Sequence, residues 1–197
     1  MKETILQALH QIEDLPYLTG QKFEWACLNT FVDLFEATPF FPTATERLQY
    51  QATKGATFYK SNHLVIIFQP HGSQASPDIE IWSFTQCLLK IECKANENAA
   101  QPNWNQHIPY QDVLYLWTSK KKGVFIRAGW QLISPDEEQR VRDFYQELKR
   151  MAKSFGSDES SLDVAMRYNL SPNNRDQVYI EDHDLTESAL DWACKNF

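Results

Sequence analysis

Three residues in the stretch SPDIEIWSFTQCLLKIECKA, Ser76–Ala95, have types and spacing that could do chemistry together: Asp78, Glu92 and Lys94. Asp78 opens one run of β-forming residues, and Glu92 and Lys94 close the next. Two carboxylates held face to face repel unless a cation stands between them. A hard divalent ion removes that conflict, and carboxylates with water are what magnesium accepts. A lysine beside them would orient a water or bond an anion brought in by the metal. The bland alternative is a set of charges solvated on a sheet face.

What positions these side chains is a hairpin. Side chains alternate along a strand, so odd and even numbers lie on opposite faces. Ile79, Ile81, Leu89, Ile91 and Cys93 make the apolar odd face, and Asp78, Glu80, Trp82, Lys90, Glu92 and Lys94 lie opposite. Two registers bury both apolar sets on one side. One pairs Asp78 with Glu92 and Glu80 with Lys90; the other pairs Asp78 with Lys94 and Glu80 with Glu92. Either gathers Asp78, Glu92 and Lys94 at the open end of the hairpin. Glu80 shares their face and is either a rival ligand or a cross-strand partner of Lys90. A second acid-x-Lys, Glu147-Leu148-Lys149, falls in a helical pattern and reads as a solvated helix face.

Around the hairpin the pattern is that of an α/β chain. GQKFEWACLNTFVDLFEA places Phe23, Cys27, Phe31, Leu34 and Phe35 at helical spacing, giving a helix over about residues 20–37 that TPFFP stops. HLVIIFQ reads as a buried strand. After the hairpin come a polar loop, 95–111, and strands DVLYLWT and VFIRAG joined by the SKKKG turn. Ser134, Pro135 and Glu137 form a capping box that starts a helix running to about Lys153. The last forty or so residues mix a short helix, a polar loop and a terminal amphipathic piece, ESALDWACKNF. A single domain over 1–197 is expected, with a core over about 20–133 and a C-terminal extension over 134–197.

Pro77-Asp78, thirteen intervening residues and then Glu92-Cys93-Lys94 resemble the PD-(D/E)xK nuclease superfamily, most closely type II restriction endonucleases. The resemblance covers roughly Gly20–Gly129. It implies a restriction-endonuclease-like core, a central mixed sheet flanked by helices, and magnesium-dependent hydrolysis of double-stranded DNA to a 5′-phosphate and a 3′-hydroxyl. Asp78, Glu92 and the backbone carbonyl of Cys93 would hold Mg2+, Lys94 would act on the attacking water, and the early-helix acid would be Glu24. The polar 95–111 segment departs from members that place a helix there.

Base edges are read by amides, arginine and lysine. The loop after the Glu-x-Lys strand, with Asn103, Trp104, Asn105, Gln106 and His107, is the first candidate for DNA contact. Ser171–Gln177, with Asn173, Asn174 and Arg175, is the second. Turns favour the same residue types. Trp104 either anchors its loop or stacks on a base, and His71 and His107 are expected bystanders. Reading a palindrome favours a homodimer.

A net charge of −7 argues against a protein that coats nucleic acid indiscriminately, but not against one local basic face. The four cysteines show no CxxC spacing and read as reduced packing residues, so a zinc site is not expected. No run is long enough to cross a bilayer, and no signal-peptide pattern opens the chain, which makes a cytoplasmic location the expectation. A repair nuclease of the same fold, or a non-catalytic DNA-binding module whose acids and lysines are simply paired, is the competing reading.

Overall fold

A computed structural model describes residues 1–53, 64–72, 75–83, 86–97, 104–105, 108–154, 167–168 and 183–195. The elements are α1 (Lys2–Glu13), α2 (Gly20–Phe35), β1 (Pro39–Phe40), α3 (Ala44–Thr53), β2 (Leu64–Phe68), β3 (Ile79–Ser83), β4 (Gln86–Asn96), β5 (Trp104–Asn105), β6 (Leu114–Ser119), β7 (Gly123–Ala128), α4 (Gly129–Leu132), α5 (Pro135–Ser154), β8 (Arg167–Tyr168) and α6 (His183–Ala193). They build an α/β fold around a six-stranded mixed sheet in the order β1-β2-β3-β4-β6-β7. β2, β3 and β4 form an antiparallel meander, β6 runs parallel to β4, and β7 returns antiparallel to β6.

The two faces of the hairpin divide as alternation dictates. Ile79, Ile81, Leu89, Ile91 and Cys93 sink into the main core, against Phe23, Cys27, Leu28 and Phe31 of α2. Ile5, Ala8, Leu9 and Ile12 of α1 join the same core, as do Ala189, Leu190 and Ala193 of α6. The core therefore reaches beyond residues 20–133 in both directions. Helix α1 is a difference from the sequence reading, although its apolar residues recur at the three- and four-residue steps of a helix stripe. On the opposite face Tyr115, Trp117 and Phe125 form a second cluster with Val113 and Leu132.

The ends of the elements follow local chemistry. Glu137 donates its backbone N–H to the Ser134 hydroxyl at 3.2 Å, the expected cap of α5. The SKKKG turn closes on Gly123, whose φ of 80° suits glycine. Gly129 has a different reason to be glycine. A Cβ there would sit 1.8 Å from the carbonyl oxygen of Tyr110, while the Gly129 N–H is pinned to Val113 at 2.8 Å. Gly129→Ala is expected to cost about 3 kcal/mol or more, read as a lowered denaturation midpoint in urea. A midpoint within error of the wild type would contradict this packing.

Candidate active site

The register is the one that pairs Glu80 with Lys90 and Ile79 with Ile91, and it holds as far as Ile81, where the ladder shifts by one residue. Asp78 lies just before the ladder begins at Ile79 and donates its own N–H to the Ile91 carbonyl at 2.9 Å. Its carboxylate Oδ2 accepts the Cys93 N–H at 2.8 Å, so strand β4 holds the side chain in place. Glu92, one residue back, takes the Lys94 ammonium on Oε1.

These groups are not solvated. Asp78 is 6% exposed and Glu92 3% exposed. Burial pushes the Asp78 carboxyl up to about 8, and the nearby charges of Glu92 and Glu24 push in the same direction. Glu24, on α2 beside the core residue Phe23, belongs to the same electrostatic cluster. Burial raises its carboxyl, Glu92 adds to the rise, and Lys94 and a hydrogen bond from Gln69 oppose it. Asp78, Glu92, Lys94 and Glu24 thus converge at the end of β4.

One member of this arrangement has no sequence signal. Gln69, just past β2, donates its amide to Glu24 Oε2 at 3.4 Å and its backbone N–H to the Asp78 carbonyl at 2.6 Å. It does so with φ at 50°, a conformation that non-glycine residues seldom adopt. Beside it the rings of Trp25, Phe41 and Phe68 pack with centroids 4.9 to 5.9 Å apart.

Glu80 and Lys90 oppose one another in register, but their side chains reach further partners. Lys90 Nζ meets Asp112 at 2.6 Å, and Glu80 accepts the Trp82 indole N–H at 2.8 Å. Glu80 is 1% exposed, and this bond turns it toward Trp82. His71 is half-buried near Glu80 and Lys90, and burial lowers its imidazole.

Among the described residues no group of three or more His, Cys, Asp and Glu side chains stands ready to hold a metal ion. Magnesium does not need such a cage, because one or two carboxylates and several waters suffice. Asp78 and Glu92 fit that lighter demand. Both are buried, the charge of Glu92 pushes the Asp78 carboxyl up, a conflict that a cation would relieve, and the Cys93 carbonyl is the expected third donor.

Of the expected DNA contacts, Asn103, Gln106, His107, Asn173, Asn174 and Arg175 lie outside the described residues. Trp104 and Asn105 form β5, paired with Tyr168 and Arg167 of β8. Among the described residues no helix is long and apolar enough to cross a membrane. Comparison with protein-family models, with curated proteins and with solved structures finds no match.

Proposed function

We propose that this protein is a magnesium-dependent, sequence-specific endonuclease of the type II restriction kind, acting on double-stranded DNA as a homodimer. The observation that carries the reading is the burial of Asp78 and Glu92 within electrostatic reach of one another, with Lys94 and Glu24 in the same cluster. A buried acid whose carboxyl neighbouring charges push up weakens a fold, and such groups mark functional sites. The order of elements supports the same reading: a helix, a three-strand meander carrying Asp78 and Glu92-Cys93-Lys94, then a strand parallel to the third. The resemblance implies a helix first and then three strands with the acid at the second and Glu-x-Lys on the third, and the short β5 falls in the segment where many members have a helix.

Hydrolysis forms a bond from a water oxygen to phosphorus and breaks the bond to the 3′-oxygen, which leaves as a hydroxyl. Roughly 20 kcal/mol of barrier must be removed, more than any one side chain supplies. Mg2+ held by Asp78, Glu92 and the Cys93 carbonyl would neutralise the phosphate and acidify the water. Lys94, placed by its bond to Glu92, sets a positive charge where negative charge develops. Glu24 adds a carboxylate at the edge of the cluster, and Gln69 fixes its direction.

One observation favours the non-catalytic reading. Asp78 already accepts a bond from Cys93, and Glu92 one from Lys94, as a structural ion-pair cluster requires. Incubation with unmethylated duplex DNA separates the two. Discrete fragments with 5′-phosphate ends in magnesium, and none with chelator, are expected. Cleavage only at nicks, flaps or branches would favour a repair nuclease, and no cleavage in either condition would leave the paired-charge module.

A further inference from the structure

Three aromatic rings gather at the end of the sheet that carries the acids. Phe41 follows directly on β1, Phe68 closes β2, and Trp25 reaches both from α2. Phe68 is buried, whereas Trp25 is 39% exposed and Phe41 48% exposed. Phe40 pairs with Ile67, Phe68 with Ile79 and Ile79 with Ile91, so the rings lie level with the neighbours of Asp78 and Glu92. Gln69 joins the two groups, because it follows Phe68 and donates its amide to Glu24, the residue before Trp25. From between β1 and β2 to between β3 and β4 is two strand spacings, about 10 Å. Scattered apolar residues on a surface need no explanation, but exposed rings packed together beside a candidate site do.

The helix face around Trp25 indicates what covers the rings. At a turn of about 100° per residue, Gln21, Lys22 and Asn29 lie within about 60° of it, and no acid falls in that arc. All three are exposed, and among the described residues Lys22 takes part in no ion pair. In a chain of net charge −7 this face joins stacking surface, an unpaired cation and amides, which are the groups that hold a base, its phosphate and its edge. A purely apolar partner would leave the lysine and the amides unmatched. We propose that Trp25 and Phe41 form a stacking platform for an unstacked base of the DNA strand whose phosphate lies at Asp78 and Glu92. The platform rests on the nuclease reading of that site. Successive nucleotides of a strand rise about 3.4 Å, so the base is one within about three nucleotides of the cut. Every base has a π-face, so the rings add affinity without reading sequence and offset the cost of unstacking.

Binding in chelator tests the platform without cleavage. The probes are a fluorescein-labelled thymidine oligomer of about 12 nucleotides and an abasic oligomer with the same phosphates. Fluorescence anisotropy at one salt concentration should show wild-type protein binding the thymidine strand roughly 30-fold more tightly. Trp25→Leu with Phe41→Leu keeps an apolar cover on Phe68, and it should abolish that preference while leaving the abasic affinity and the melting temperature unchanged. Trp25→Phe, which restores a ring, should retain most of the preference. Lys22→Ala should weaken both probes alike, since it meets phosphate and not base. Equal or undetectable wild-type binding of the two probes overturns the proposal, and so does a preference that survives the paired leucines. A wild-type dimer in sedimentation that the paired leucines dissociate would also overturn it, because the rings then cover a second copy. A protein that cleaves DNA yet ignores the bases would sink the platform alone. One that prefers the bases and cleaves nothing in magnesium would sink the nuclease reading alone.

Discussion

Asp78→Asn is expected to stabilise the metal-free protein at pH 8 and to abolish magnesium-dependent cleavage. The sign follows from where the carboxyl titrates. Burial and the charges of Glu92 and Glu24 lift it from 3.8 to about 8, so the folded protein keeps a proton that the unfolded chain gives up. Below about pH 4 both states hold that proton and the site costs nothing in stability. As pH rises from about 4 to about 8, folding must hold on to the proton or tolerate an unwelcome charge, and stability falls. Half of that gap is worth about 3 kcal/mol. Asparagine can still accept the Cys93 N–H, and it carries no charge to bury. The variant should therefore melt roughly 6 °C or more above wild type at pH 8 and close to it at pH 4. Magnesium should raise the wild-type melting temperature at pH 8 and leave the variant's unchanged. A variant that melts lower at both pH values would mean the acid is structural.

Lys94→Ala carries the largest kinetic effect. The ammonium is the positive side chain directly bonded to the cluster, on Glu92, and the two side chains are 19% and 4% exposed. Loss of a preorganised charge facing a transition state typically costs about 3–4 kcal/mol, so cleavage should fall roughly 1,000-fold. Removing one partner of a buried pair also destabilises, here by about 2 kcal/mol, because Glu92 is left in low dielectric without its cation. Activity and stability thus fall together in Lys94→Ala but move in opposite directions in Asp78→Asn. Arginine at 94 should restore the stability better than the rate, since its planar fork cannot occupy the position of a compact ammonium. A Lys94→Ala protein that retains cleavage within tenfold of wild type would remove this residue from the chemistry.

The parts of the fold that alternate or repeat were legible. The odd-numbered apolar face of the hairpin left two registers, and the backbone adopts the one that pairs Glu80 with Lys90. Helix α2 follows from Phe23, Cys27 and Phe31, and α5 begins at its Ser134 cap. What escaped depends on distant contact. Gln69 reaches Glu24 and Asp78 across a turn, and nothing local in its neighbours foretells a left-handed backbone there. Lys90 finds Asp112 through the parallel pairing of β4 with β6, a non-local arrangement that no strand pattern encodes. Trp82 claims Glu80 two residues away on the same strand, and only the burial of both makes that bond worth forming.

The central claim is that Asp78 and Glu92 jointly hold a cation. Manganese substitutes for magnesium at oxygen-ligand sites, so a crystal soaked in it tests the claim by anomalous scattering. The expected result is one peak about 2.1 Å from an oxygen of each carboxylate and close to the Cys93 carbonyl. Carboxylates that keep only their bonds to Cys93 and Lys94 at saturating manganese, with no peak between them, would contradict it.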